Sequence, residues 1–253
     1  MIDAIILRFD APLLSFGGVV IDNNGITRMF PARSMLAGML GSALGYDHRA
    51  AAALRALQER IEYAVRCDRP GEFLRDFQTV DLSQAFLWEG WTTRGRVQER
   101  AGEAGQEIKS LKRAAARGEP APRTRKTTAI RYRDYLADAV YTVALALESP
   151  EADPGAARLE AALREPARPL FIGRKPCMPA EPIFLARFEA HDLRDALVRA
   201  PLSARAPAKQ RLRAWFAADG AHVSGALPMS GDRDWTNQIH VGRRFIREEF
   251  IDV

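Results

Sequence analysis

Near the start of the chain Ile5, Leu7 and Phe9 alternate with Ile6 and Arg8, a period of two that predicts a β-strand. Turn formers follow over 11–28, including Pro12, Gly17, Gly18 and the DNNG run at 22–25, and they predict a loop or loose hairpin. The spacing then becomes helical. Over 31–45, Met35, Leu36, Met39, Leu40, Ala43 and Leu44 form an apolar stripe, while Ala37, Gly38, Gly41 and Ser42 form a small-residue face open to close approach. Pro31 suits the first helical position, because its missing N–H would be unpaired there in any case. A second helix is expected over 49–60 from Ala53, Leu54 and Leu57. A strand is expected over 61–67, where Ile61, Tyr63, Val65 and Cys67 alternate with Glu62, Ala64 and Arg66.

The order strand, helix, strand then recurs. YRDYLADAVYTVALALES from 132 reads as one strand apolar on both faces, as a central strand is. Asp153 and Pro154 predict the cap and first turn of a helix reaching to about 164, with Leu159 and Leu163 facing inward. PIFLARFEA over 182–190 predicts a further strand. Beyond it come a short helix, DLRDALVRA from 192, a stretch rich in Pro and Arg, and a closing strand, HVGRRFIREEFIDV, carrying Arg243 and Arg244. Two such halves sharing one sheet, with helices on one face, give an α+β, ferredoxin-like (RRM-like) palm. The boundaries are palm over 1–76 and 131–190, an insertion over 77–130, and a C-terminal extension over 191–253.

The insertion changes the picture because apolar periodicity lapses there. Residues 90–130 hold five glycines and two prolines at Gly90, Gly95, Gly102, Gly105, Gly118, Pro120 and Pro122, and few large apolar side chains. An Ala-rich helix fits 103–117; the remainder cannot bury enough surface to hold itself together alone. Charge concentrates in the same place. Arg94, Arg96, Arg100, Lys109, Lys112, Arg113, Arg117, Arg123, Arg125, Lys126, Arg131 and Arg133 face only Glu99, Glu103, Glu107 and Glu119, a net +8 over 94–133. Since the chain carries +5 in total, the rest is about −3, so the basic character belongs to one segment. Such a segment projects from the core and orders on an anionic partner, or is simply a solvated loop. A second anion-ready place is the start of the helix at 31–45, where Arg28, Arg33 and Ser34 gather at its positive end.

Composition excludes other classes. With 253 residues, 47% hydrophobic and 27% charged, the chain can bury a sizeable core in a soluble protein. No apolar run is long enough to span a membrane, and MIDAIILRFD has no basic flank before its apolar stretch, so a cytoplasmic protein is expected. Cys67 and Cys177 form no CxxC pair. His48, His191, His222 and His240 show no metal-ligand spacing, and no P-loop, GxGxxG or GxSxG elbow occurs. No cofactor or metal is expected. A metal-independent ribonuclease needs only a general base such as His and a cationic stabiliser, and it stands as the alternative to pure binding. For base stacking the aromatic candidates are Phe16, Tyr132 and Trp91, each set against core packing.

Five stretches together carry a resemblance. LRFDAPLLSFGG from 7, GITRMFPARSMLAGMLGSALGY from 25, AVRCDRPGEFLRDFQTV from 64, IRYRDYLADAVYTVAL from 130 and RPLFIGRKPCMPAEPIF from 168 resemble, in order, the CasD family of repeat-associated (RAMP) proteins of the type I-E CRISPR Cascade complex. The resemblance implies a ferredoxin-like palm, a thumb inserted after the LRDF segment and a Gly-rich loop at LFIGRK. It also implies a non-catalytic protein that binds the five-prime handle of the guide RNA (crRNA) and caps the Cascade backbone subunits next to the large subunit. By position it assigns RNA contact to Arg28, Arg33, Ser34, Gly173, Arg174 and Lys175, and to Arg75, Asp76, Arg131 and Tyr135 beside the thumb; Arg243 and Arg244 join them as cations of the closing strand. The thumb cations Arg94, Arg96, Lys109, Lys112, Arg113, Arg123, Arg125 and Lys126 fall to RNA or DNA contact. This thumb is longer, more Ala-rich and more basic than its relatives', which adds target DNA near the protospacer-adjacent end, or a neighbouring subunit, as a candidate contact.

Overall fold

The computed structural model describes residues 1–253 except 20–22, 48, 82–89, 92–96, 99–108, 111, 120–127, 208–210, 219 and 221. In chain order the strands are β1 (Ile2–Asp10), β2 (Leu13–Leu14), β3 (Asn24–Gly25), β4 (Ile61–Arg69), β5 (Glu72–Asp81), β6 (Gly90–Trp91), β7 (Val97–Gln98), β8 (Thr128–Ala137) and β9 (Val140–Leu147). They continue with β10 (Phe184–Ala190), β11 (Arg211–Ala218), β12 (Ala226–Met229), β13 (Asp232–Asp234), β14 (Ile239–Val241) and β15 (Arg244–Asp252). The helices with bounds among the described residues include α1 (Arg33–Ala43), α2 (Ala51–Arg60), α3 (Ala156–Arg164) and α4 (Leu193–Arg199).

The chain divides into two compact units, one of residues 1–21, 25–75 and 134–253, the other of 22–24 and 76–133. In the first, seven strands form one sheet in the order β10-β1-β9-β4-β11-β15-β12, with antiparallel pairing at every junction. The strands of the C-terminal extension thus continue the same sheet. In the second, β6 and β7 pair as a short hairpin, and the Tyr132 amide donates to the Asn23 carbonyl.

Alternation along the central strands explains the two-sided core. Ile5, Leu7, Phe9, Tyr63, Val65, Tyr141, Val143 and Leu145 point to one face, where Leu36 and Leu40 of α1, Leu57 of α2, and Leu159 and Leu163 of α3 cover them. Their neighbours Ala4, Ile6, Ala64, Ala144 and Ala214 point to the other face, where Ala196 and Leu197 of α4 lie. Small side chains there let the short helix approach the sheet closely. β1, β4 and β9 are therefore buried on both faces along most of their length.

The Arg66 and Asp68 charges inside this face are paired. Arg66 on β4 has no exposed surface, and its Nε and Nη2 donate to the Asp68 carboxylate at 2.6 and 3.2 Å. The rest of its fork reaches the carbonyls of Leu197, Ala200 (3.0 Å) and Pro201 (3.2 Å) at the end of α4. Asp68 also accepts from Thr142 Oγ1 at 3.0 Å and the Ser203 amide at 3.2 Å. Arg66 thereby caps the carbonyls that a helix C-terminus leaves unpaired.

Three local expectations need correction. The helix expected from Pro31 begins at Arg33, capped by the extended Ala32, and Pro31 instead offers its carbonyl to the Tyr63 hydroxyl at 2.9 Å. The single strand expected over 132–149 is two strands, β8 and β9, broken at Asp138, whose φ of 58° lies in the left-handed region. Arg69 and Arg205 both pair with the Asp138 carboxylate and hold the break. Asp153 is not a cap either; α3 starts after Gly155, and the Asp153 carboxylate pairs with Arg158.

Candidate nucleic-acid interface

The site is built from three loops of the first unit. In the Gly-rich turn at 172–177 the Ile172 amide donates to the Cys177 carbonyl and the Cys177 amide to the Arg174 carbonyl, so the loop closes on itself. Gly173 has φ 105°, and a Cβ there would collide with the Ser15 carbonyl oxygen, so only glycine fits. Arg174 follows and staples two neighbours. Its Nη1 donates to the Asp134 carbonyl at 2.8 Å, its Nη2 to the carbonyls of Gly25 and Ile26 at 2.7 and 3.2 Å, and its guanidinium lies 5.1 Å from the ring centre of buried Tyr135. The structure thus brings Gly173, Arg174 and Tyr135 together with the segment leading to Arg28. Lys175 beside them is exposed.

The mouth of α1 is differently furnished from expectation. Its leading amides are occupied: Ser34 donates to the Gly231 carbonyl at 2.9 Å, and Met35 and Leu36 donate to Ala32. Ser34 itself is buried. Arg33 holds both carboxylate oxygens of Asp232 at 2.5 and 2.7 Å, and Arg244 holds Glu62 at 2.9 Å. Instead of unpaired amides and free guanidinium groups awaiting a phosphate, the chain's own β13–β14 hairpin fills the helix mouth. The small-residue face of α1 is likewise taken, since Gly38 lies under the Trp235 ring and Gly41 makes room for Leu54 of α2.

Arg28 is the exception. Its guanidinium is half-buried, its Nη1 is sealed from solvent, and it has neither a hydrogen bond nor an ion pair among the described residues. Burial lowers its pKa. On the β13–β14 hairpin Arg233 and His240 stand directly opposite one another. Burial, then the positive charges of Arg233 and Arg28, pull the His240 pKa down, and its Nδ1 is buried without a partner.

Beside the insertion, Arg75 pairs with Asp134 at 2.8 Å and lies 5.8 Å from the Phe73 ring centre, while Asp76 accepts from Gln78 at 2.6 Å. Arg131 is exposed on β8, and Arg243 is exposed with its guanidinium over the Phe245 ring. Lys109, Lys112 and Arg113 are exposed. Arg94, Arg96, Arg123, Arg125 and Lys126 lie outside the described residues.

Of the stacking candidates, Phe16 is a core residue, 1% exposed and edge-on to Tyr141 at 5.0 Å, and the Trp91 side chain lies outside what is described. Tyr132 is half-buried, its ring centre 5.6 Å from that of Phe77, which is 56% exposed. Phe77 and the equally exposed Phe73 are the residues that sequence reasoning passed over, although EFLRDFQ shows them at alternate positions around Arg75. The β13–β14 hairpin was also missed; its signal is a polar DRDWTNQ run bracketed by Gly231 and Gly242.

Among the described residues no group of His, Cys, Asp or Glu has the arrangement to hold a metal ion, and no helix is long and apolar enough to cross a membrane. Cys67 and Cys177 are buried free thiols, the first pushed up to about 11 by burial, a value that leaves it protonated and poorly nucleophilic.

Comparison with known proteins bears on all of this. The profile of the family described as CRISPR-associated protein (Cas_Cas5) matches residues 4–247. The chain is 31% identical over 194 residues to the CRISPR system Cascade subunit CasD of Escherichia coli (strain K12), covering 77% of this chain and 75% of that protein. Among solved structures, a chain of a CRISPR RNA-guided surveillance complex superposes with a TM-score of 0.63 at 24% identity, over 99% of this chain and 90% of its own. Another, described as a Cas protein, gives 0.56 at 22% identity over 98% and 95%. The two structural matches speak to the fold, and the profile match runs from β1 into β15: the chain belongs to the Cas5 family of CRISPR-associated proteins.

Proposed function

We propose that this chain is the non-catalytic subunit of a Cascade-type surveillance complex that holds the five-prime handle of the guide RNA and caps the backbone filament next to the large subunit. The observation that carries it is the CasD similarity across three quarters of both chains. The strand order β10-β1-β9-β4, with α1 and α2 linking β1 to β4 and α3 linking β9 to β10, fits a ferredoxin-like palm. In this reading the stapled cations Arg33, Arg174 and Arg244 shape the loops and the helix mouth. Arg28, Lys175, Arg131 and Arg243 meet phosphates, which fixes position but not sequence. The exposed Phe77 ring beside Tyr132 supplies a stacking surface for an unpaired base. The basic insertion supplies further phosphate contacts, with target DNA or a neighbouring subunit as its additional partner.

The test is to express the chain with its operon partners and sequence the RNA that copurifies, then incubate the isolated chain with repeat RNA in EDTA. Guide RNA in the complex and intact repeat RNA on the gel are expected. Cleaved repeat RNA, abolished by replacing His240, would instead establish a metal-independent ribonuclease.

A further inference from the structure

The two faces of the seven-stranded sheet are covered unequally. On one face lie α1, α2 and α3; on the other, among the described residues, the covering helix is α4, of seven residues. A helix of that length is about 10 Å long, and seven strands side by side span roughly 29 Å. Part of the second face therefore stays open, and a cavity of about 970 Å³ lies there at the Ile2 end of β1. Its floor is apolar, made by Ile2, Ala146, Leu193 and Phe216.

The rim is charged, but unevenly. Its three arginines are already paired: Arg187 with Asp3 at 2.7 Å, and both Arg194 and Arg247 with Glu249. Arg194 also lies 4.6 Å from the Phe216 ring centre, so its place against the floor is fixed. Two carboxylates are different. Glu148 and Glu189 are exposed, and each meets an arginine only through its main-chain carbonyl, which accepts from Arg60 and Arg199 respectively. Neither carboxylate has a partner among the described residues. The cavity thus offers apolar surface and unmatched negative charge, with its guanidinium groups occupied. A phosphodiester would meet like charge there, and a second copy docked about a two-fold axis would set one acidic rim against another. A protein segment carrying apolar side chains beside Lys or Arg suits both floor and rim. The Gly173–Arg174 loop lies against Ser15, at the Asp10 end of β1. β1, nine residues long, separates that end from the cavity by about 26 Å, so RNA held at the loop leaves the cavity free.

We propose that this cavity is the docking site for a segment of a neighbouring protein subunit that presents apolar side chains flanked by Lys or Arg. That the neighbour belongs to a guide-RNA complex rests on the reading above. The preference for an apolar and basic segment does not.

The isolated full-length chain tests the preference. A capped hexapeptide of alternating leucine and lysine is titrated while the isoleucine methyl groups are followed by NMR, the Ile2 resonance being identified by its loss in Ile2→Val. That resonance is expected to shift saturably, with affinity about tenfold lower in the double variant Glu148→Lys, Glu189→Lys. A peptide of alternating leucine and glutamate is expected to leave it unmoved. Absence of the shift, equal affinity in the double variant, or equal affinity for the glutamate peptide overturns the site. Should the double variant melt lower than the wild type, Ala157→Trp decides in its place, since it fills the cavity from an exposed position of α3. It is expected to weaken the lysine peptide about tenfold, and an unchanged affinity overturns the site. The second arm purifies the complex formed with the operon partners after a photo-reactive benzophenone side chain has replaced Ala157. A crosslink to another subunit is expected, at a peptide holding Lys or Arg beside apolar residues. If guide RNA copurifies but the crosslink goes to RNA or to no chain, the subunit assignment is overturned. If no guide RNA copurifies, the guide-binding reading falls and takes that assignment with it, while the peptide titration still decides the site.

Discussion

Arg66 and Arg28 are both drawn from water, yet one is surrounded by acceptors and the other by none. Arg66, wholly buried, reaches one carboxylate, a threonine and three carbonyls, and through them ties β4 and β9 to the end of α4. Arg28, half-buried, touches no acceptor among the described residues. The contrast separates two uses of the same side chain. A matched guanidinium organises the protein; an unmatched one is available to something else.

The largest effect that sharpens this contrast is on stability. Arg66→Met removes the bidentate partner of Asp68, leaving it Arg8 at 3.8 Å, and frees the Leu197 and Ala200 carbonyls; it is expected to cost about 3–5 kcal/mol, read as a lower urea midpoint at constant slope. A loss below 1 kcal/mol would mean that the network is not holding the sheet to α4. Gly173→Ala comes next. Forcing a Cβ into the Ser15 carbonyl at a positive φ should cost about 1–3 kcal/mol and displace Arg174 from Asp134, with guide affinity falling alongside. Smaller still is the pair at the mouth of α1, where a double-mutant cycle of Arg33→Ala and Asp232→Ala is expected to give a coupling of about 1–2 kcal/mol. Zero coupling would show that the hairpin is anchored by its other contacts, Gln58 with Arg233, Trp235 against Gly38 and the Ser34 amide on the Gly231 carbonyl.

The same contrast explains what the sequence made legible. Alternation on β1, β4 and β10, and the helical stripe around Leu36 and Leu40, report burial, and burial has a period that can be read. The break at Asp138 has none, because it depends on Arg69 and Arg205 arriving from elsewhere in the chain to pair with one carboxylate. Site residues divide along the same line. Arg28, Arg33, Arg174 and Arg244 are identical in a linear reading, since charge type says nothing about which cation will meet a carboxylate 199 positions away, as Arg33 does. Gly173 was legible through its motif, with its steric reason visible only once Ser15 lies against it. The hairpin that fills the mouth of α1 is short, polar and remote in sequence, so hydrophobic periodicity could not reveal it.

Guide-RNA binding through phosphates makes one demand that no structural role for the same cations would meet. Affinity of the full-length chain for single-stranded guide RNA should be measured by fluorescence anisotropy across a series of salt concentrations. With about five phosphates neutralised, log affinity is expected to fall against log salt with a slope of roughly −3 to −4, and to flatten by about 0.7 in Arg28→Met. A slope near zero in the wild-type chain would contradict the assignment of these cations to RNA.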